Sequence, residues 1–348
     1  MDLLHGVGDF FSLDIGTNSM RLVQLSGNNK TGWTLQKFAY VPIDAKLATD
    51  SSELGKKHLG EAIMGAVEQA GIKTRNVAVG IPATKTFTSV VETDTIPDKE
   101  LRKAFKYEID KYVPMAISDA KADFIVLGPS PNSPTKTEVL VSSVAKKFAE
   151  DALETIEKTG LDVIAMEPEP LAMARSLNVP GAIDATLIVD FGERSSDLVV
   201  NYHNQPRLVR SIPGGITLLV HAVATTLGVR EDQARQFILK FGLDNTQVEG
   251  QVFRILNTHL ETFATELAKS VRFFQSKYLS GKIGGIVLSG YASIIPLFTE
   301  FIEAKTNIPT VNGNPWQFVR MTPEQQSALA PVASEFAVVV GLSERSNN

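Results

Sequence analysis

Residues 13–23 read Leu-Asp-Ile-Gly-Thr-Asn-Ser-Met-Arg-Leu-Val, and residues 189–199 read Val-Asp-Phe-Gly-Glu-Arg-Ser-Ser-Asp-Leu-Val. The two stretches align without a gap: Asp14 falls on Asp190, Gly16 on Gly192, Ser19 on Ser195, Leu22 on Leu198 and Val23 on Val199. The offset of 176 residues is close to half of the 348-residue chain, as two related domains built from one ancestral unit would give. Each copy is an apolar strand ending in Asp-x-Gly, then a polar turn, then a second β-rich run. That pattern predicts a tight hairpin whose backbone amides and hydroxyls face a phosphate chain.

Outward from the first copy, the chain turns at the Gly/Asn-rich stretch 26–32, returns through Val41, and enters a helix over 53–70 closed by Gly71. A short buried strand follows over 76–80. Residues 82–164 read as an inserted subdomain: a strand at 87–92, a helix opened by Pro97 and stopped by Pro114, strands at 123–127 and 138–143 around a Pro/Ser/Thr loop at 129–137, and a helix over 146–159. The main fold resumes with a strand at 161–166 and a helix starting in Glu167-Pro-Glu-Pro170. The second hairpin is followed by a helix opened at Pro213-Gly214-Gly215, helices near 231–240 and 252–279, a strand at 285–289, a helix from Ser293 and an apolar helix over 332–342. Strands alternating with helices in two similar halves predict a two-lobed α/β protein. Its expected division is a first lobe over 1–185 carrying the insert, a second over 186–334, and a C-terminal helix and tail over 335–348 that return to the first.

Composition narrows the function classes. With 34 basic and 39 acidic residues the net charge is −5, against a nucleic-acid binder relying on bulk electrostatics. Hydrophobic content of 43% suits two ordinary cores. The absence of cysteine excludes thiolate metal sites and thiol nucleophiles. No uninterrupted apolar run reaches the roughly 18 residues of a membrane span. The first eleven residues lack the basic region and cleavage site of a signal peptide, and read as a loose tail. These features predict a cytoplasmic protein. The five histidines are scattered, with no two at metal-ligand spacing.

Asp-x-Gly followed by hydroxyl residues suits a metal-bound polyphosphate: glycine admits close backbone approach and positive φ, and the turn amides make an anion nest. Asp14 and Asp190, facing each other across a cleft, would hold Mg2+ through its waters. Arg21, two residues beyond Ser19 on the same side of a strand, is placed to reach a phosphate oxygen. The apolar strand Ile286-Val-Leu-Ser-Gly290 before a helix offers a seat for a nucleotide.

These three elements, near residues 14, 190 and 290, resemble the phosphate-1, phosphate-2 and adenosine motifs of the actin, heat-shock-chaperone and sugar-kinase ATPase superfamily. Within it the chain resembles the PilM family of type IV pilus assembly, with FtsA the nearest relative. The resemblance rests on Leu13-Asp-Ile-Gly-Thr-Asn-Ser19, Tyr107-Glu-Ile-Asp-Lys-Tyr-Val-Pro114, Glu169-Pro-Leu-Ala-Met-Ala-Arg175 and Arg210-Ser-Ile-Pro-Gly-Gly215, and on an insert at 82–164 in place of actin's. It implies an actin-like ATPase fold that binds ATP or ADP with Mg2+. By it, Asp14 and Asp190 serve the metal, and Gly16, Thr17, Asn18, Ser19, Gly192, Ser195, Gly214 and Gly215 the phosphates. Glu266 and Lys269 would contact the adenosine with Gly290 and Tyr291, and Glu169 would orient an attacking water. Three departures bear on turnover: Tyr291 stands in a turn usually glycine-rich, Glu193 puts a carboxylate beside the phosphates unless Mg2+ or Arg194 offsets it, and Arg21 replaces a lysine.

Three functions stay open on these residues. One is a nucleotide-held scaffold that grips the N-terminal cytoplasmic tail of a PilN-like membrane protein beside the insert, with the pilus motor ATPase and further copies of itself as candidate partners. A second is an FtsA-like divisome tether, disfavoured by the polar ending Ser343-Glu-Arg-Ser-Asn-Asn348. The third is a small-molecule kinase, for which no residue nominates itself as the base.

Overall fold

The computed structural model describes residues 9–28 and 30–345; the reading of residues 1–8 as a loose tail lies outside them. In chain order the strands are β1 Phe11–Ile15, β2 Ser19–Asn28, β3 Gly32–Pro42, β4 Asn76–Ile81, β5 Thr86–Asp94, β6 Ala120–Ser130, β7 Ser133–Ala145, β8 Asp162–Pro168, β9 Ala185–Phe191, β10 Ser195–Tyr202, β11 Gln205–Pro213, β12 Ile283–Gly290, β13 Thr310–Asn312 and β14 Val319–Arg320. The helices are α1 Glu53–Ala70, α2 Asp98–Glu108, α3 Lys146–Glu157, α4 Glu169–Ser176, α5 Ile216–Leu227, α6 Glu231–Phe241, α7 Gln251–Lys277, α8 Phe298–Thr306, α9 Pro323–Leu329 and α10 Ala337–Ser343.

Two sheets share one plan. The first runs β14-β3-β2-β1-β4-β8 and the second β11-β10-β9-β12-β13. In each, the repeated hairpin is antiparallel and the next two strands join parallel. The hairpins match to the residue: Asp14 pairs with Arg21, and Asp190 with Asp197. Both turns close on the same bond, Gly16 N–H to the Ser19 carbonyl and Gly192 N–H to the Ser195 carbonyl, each 3.0 Å. Glycine is needed there by proximity. A Cβ would stand 3.1 Å from the Ser19 carbonyl in the first turn and 2.8 Å from the Ser195 carbonyl in the second. Neither glycine has the positive φ expected from the sequence.

Side-chain alternation assigns the faces of the second sheet. Leu187, Val189, Leu198 and Ile212 pack outward with residues of α5, α6 and α7, while Ile188, Val199 and Val287 face α4 and α10. The last helix returns to the first sheet and closes on α4, where a Cβ at Gly341 would collide with the Ala172 carbonyl. The helical run Pro323–Ser343 has a mean hydropathy of 1.3, enough in length and composition to cross a membrane. Its final turns are core instead: Ala337, Val339, Val340 and Leu342 are buried.

The insert's sheet has the order β5-β7-β6. Val139 and Val141 meet Leu101 and Phe105 of α2, while Leu140, on the alternate face, meets Leu127, Leu171 and Val209. Three local readings change. The stretch 129–137 is no loop, because β6 and β7 continue through it to a tight turn after Ser130; irregular pairing beside Gly128 and an edge position accommodate Pro129. The helix expected from Ser293 starts at Phe298, delayed by Pro296 and a left-handed Leu297. The helix expected over 332–342 is α10 alone, preceded by a 3-10 stretch, Ala330–Phe336, that contains Pro331 near its start.

Candidate functional site

The tips of the two hairpins and the start of α4 bring four carboxylates into one electrostatic neighbourhood: Asp14, Glu169, Asp190 and Asp197. Asp14 is only 4% exposed, and the Arg21 guanidinium bridges it at 3.0 Å to Glu335 at 2.5 Å. Tyr40 donates its hydroxyl to the same Glu335 at 3.2 Å, and the Arg21 guanidinium lies 5.9 Å from the Tyr40 ring centre.

This neighbourhood holds too many negative groups for one arginine. Burial, then repulsion from Asp14, Asp197 and Asp190, pushes Glu169 well above the ordinary carboxylate range. Burial pushes Asp190 up to about 6, against the Ser289 hydroxyl and Arg21 and with the help of Asp14 and Glu335. Asp197 is pushed up to about 7 by burial, with Asp190 adding to it, and its Oδ1 has no partner among the described residues. Asp14 is raised by burial in spite of Arg21. Asp14 is buried and Glu169, Asp190 and Asp197 are half-buried, and crowded oxygen donors of this kind with one arginine among them are the setting a divalent metal relieves. The donor chemistry therefore fits Mg2+. Among the described residues no three His, Asp or Glu side chains converge as a direct metal-ligand set.

The second hairpin's turn is tied down from outside. Ile216 and Thr217, at the start of α5, donate backbone N–H groups to the Gly192 and Glu193 carbonyls at 3.0 Å each, and Gly214 N–H reaches the Arg194 carbonyl at 3.1 Å. Gly215 allows this: a Cβ there would meet the Gly192 carbonyl oxygen at 2.3 Å. The amides expected to cradle phosphate at Gly214 are thus engaged by the turn itself. Gly290 sits in the left-handed region at φ 63°, where a Cβ would lie 2.7 Å from Asp190 Oδ1, so the strand-end glycine adjoins Asp190.

Glu193 is neutralised, but not by Arg194, which is exposed. Arg235 of α6 forks onto its carboxylate, Thr217 donates its hydroxyl at 2.7 Å, and Tyr291 donates its hydroxyl at 2.8 Å. Burial would raise the Glu193 carboxyl, but these three hydrogen bonds outweigh it and hold it below its usual value. Tyr291 accordingly stands as a strut between the two loops, its ring 5.6 Å beneath the Arg235 guanidinium.

Of the remaining predicted residues, Thr17, exposed Asn18 and buried Ser19 form the first turn, and Ser195 closes the second. Glu266 and Lys269 are not brought to this site by their contacts: they pair with each other at 2.6 Å, and Glu266 lies 3.9 Å from Arg210. Arg210 neighbours Ser211, which pairs with Asp197, so alternation sends Arg210 to the opposite face of the sheet. Sequence reading missed Asp197, Arg235, Glu335 and Tyr40. Only Asp197 carried a signal, because it occupies the repeat position of Arg21.

A family model described as type IV pilus assembly protein PilM matches residues 12–347. Among solved structures, the PilM-PilN type IV pilus biogenesis complex superposes with a TM-score of 0.80 at 21% identity, covering 97% of this chain and 98% of that one. The ethanolamine utilization protein EutJ from Carboxydothermus hydrogenoformans gives 0.57 at 13% identity, with coverage of 97% and 90%. MreB5 of Spiroplasma citri bound to ADP gives 0.53 at 13% identity, with coverage of 96% and 95%. These likenesses show an actin-like ATPase fold.

Proposed function

Because the chain belongs to the PilM family of type IV pilus assembly proteins, we propose that it is a nucleotide-binding scaffold on the cytoplasmic face of the inner-membrane pilus platform, where it holds the N-terminal tail of a PilN-like membrane protein. The observation that carries the nucleotide half is the pair of hairpins with the same register and the same closing bond, presenting Asp14 and Asp190 to one acidic neighbourhood. ATP or ADP with Mg2+ would be held there, the metal by Asp14 and Asp190 and the phosphates by the turns at Gly16–Ser19 and Gly192–Ser195. Bound Mg2+ would supply the positive charge these carboxylates lack. Arg21 orients Asp14, and Glu335 holds Arg21.

Without a cation the same cluster leaves Glu169 a poor base: a general base must be ionised to accept a proton, and burial and the neighbouring aspartates hold Glu169 above the usual carboxylate range, a shift that bound Mg2+ would oppose. A scaffold needs nucleotide for shape, and a poor base does not impair that.

Mg-ATP raises the melting temperature in this reading. At 100-fold over Kd the gain is about 2.7 kcal/mol, worth a few degrees at this size. Asp14→Ala abolishes that gain while the circular-dichroism spectrum stays intact. A wild-type protein indifferent to ATP and ADP would remove the nucleotide half. For the scaffold half, fluorescence anisotropy with labelled N-terminal tails of single-pass membrane proteins encoded nearby is expected to find one saturable binder. Uniform failure of those tails would favour a kinase of the same fold.

A further inference from the structure

The insert is covalently part of the first lobe, entered from β4 and left into α3, yet its deepest polar contacts cross to the second. Glu138 of β7 is 0% exposed and faces Arg207 of β11, 4% exposed, and Tyr278 at the end of α7, also 0%. The Arg207 guanidinium donates to one Glu138 oxygen, and the Tyr278 hydroxyl donates to the other at 2.8 Å. Arg207 Nε is held in turn by the Tyr202 carbonyl at 3.1 Å. Around this bolt, Lys277 Nζ donates to the Val90 carbonyl at 2.9 Å and Asn132 Nδ2 to the Lys277 carbonyl at 2.8 Å. Leu140 and Val90 meet Val209 alongside.

The insert's link to the first lobe is of another kind. At its root, Val144 packs with Ile81 and Ala149, and Leu127 and Leu140 pack on Leu171 of α4, so the buried part of this joint is apolar throughout. Apolar contacts slide and repack at modest cost, whereas a fully buried ion pair cannot be drawn apart without leaving bare charges. Softness therefore lies at the root and stiffness at the bolt.

We propose that the insert is a strut fixed to the second lobe by Glu138, Arg207 and Tyr278, so that any change in the angle between the lobes reappears as a change in the placement of the insert against the first sheet. The consequence for function rests on the reading above, with nucleotide in the cleft and a membrane-protein tail held beside the insert. A ligand shifts such an equilibrium by its differential affinity for the two states, and the strut makes both sites sense the same two states.

The full chain has no cysteine, so pairs of spin labels can be placed by Glu61→Cys on the first lobe, Asp123→Cys on the insert and Glu300→Cys on the second lobe. In the free protein the 123–300 distance distribution is expected to be narrower than the 61–123 one. Glu138→Gln, and separately Arg207→Met, should broaden the 123–300 distribution at least twofold while leaving 61–300 unchanged and the circular-dichroism spectrum native. On addition of Mg-ATP, 61–300 and 61–123 should shift together in wild type with 123–300 fixed. In the two variants 61–300 alone should keep its shift. A folded Glu138→Gln or Arg207→Met protein with an unbroadened 123–300 distribution overturns the strut. So does a wild-type 123–300 distance that shifts with nucleotide while 61–123 stays. If Mg-ATP moves neither the melting temperature nor any distance, the nucleotide reading fails, and the widths in the free protein still decide the strut.

Discussion

Arg21→Ala is expected to lower the melting temperature of the nucleotide-free protein by roughly 5 °C at pH 8. Arg21 is the only cation in contact with Asp14 and Glu335 among the described residues, and its guanidinium is held by both. Removing it strands two carboxylates beside Glu169 and Asp190, in a place where burial has already raised their protonation range. Breaking a buried pair from one side costs about 3–5 kcal/mol, and each kcal/mol is worth about 1–2 °C in a chain of 348 residues. Arg21→Lys should recover only part of the loss, since an ammonium cannot fork between Asp14 and Glu335. Acidification should also help, because the stranded carboxylates can then take protons. Thermal melts at pH 5 and pH 8 check all three statements. An Arg21→Ala protein melting within 1 °C of wild type at pH 8 would mean that the cluster is solvated and that Arg21 does not hold the acidic neighbourhood described above.

The parts legible in the sequence are those whose causes are local. The repeated Asp-x-Gly hairpin was readable because a turn closed between Gly16 and Ser19, or between Gly192 and Ser195, depends on four residues. Why glycine is needed was not readable, since the collision is with a carbonyl placed by the closed turn. Arg235 and Glu335 were invisible for a stronger reason. Arg235 reaches Glu193 over 42 residues and Glu335 reaches Arg21 over 314, and no periodicity encodes such a meeting. Glu266 and Lys269 came from resemblance alone, and strand alternation at Arg210 and Ser211 puts their contacts on the other face of the sheet. Asp197 is the instructive case. The gapless offset that pairs Asp14 with Asp190 also pairs Arg21 with Asp197, so the second hairpin lacks the cation that the first supplies to its own aspartate.

That asymmetry makes the protein more stable in mild acid than at alkaline pH. Asp190, at about 6, and Asp197, at about 7, hold protons in the native state at pH values where the unfolded chain has lost them. Stability falls with rising pH wherever the native state binds more protons, so their favourable contribution is complete below about pH 4 and lost between about pH 4 and 7. Glu344, pushed up to about 7 by burial against the opposing pull of Arg175, acts in the same window. At about 1.4 kcal/mol per pKa unit, Asp190 and Asp197 would each account for about 3–4 kcal/mol. Neutralising either lets the other ionise more easily, so their joint effect is smaller than two independent losses. Glu167 works in the opposite sense: although burial would raise it, Arg175 and Arg345 hold it below its usual value, and its contribution disappears only when pH falls below about 4.5. The melting temperature should therefore peak near pH 4–5 and decline toward pH 8. Asp197→Asn fixes the neutral form at every pH, and should raise the melting temperature at pH 8 by several degrees while leaving it nearly unchanged at pH 4. Calorimetric scans of wild type and Asp197→Asn across pH 4–8 give the comparison. A wild-type melting temperature that climbs steadily toward pH 8, with no gain from Asp197→Asn, would show that these carboxylates are ionised and satisfied in the native state, and would leave the acidic site with no need for a cation.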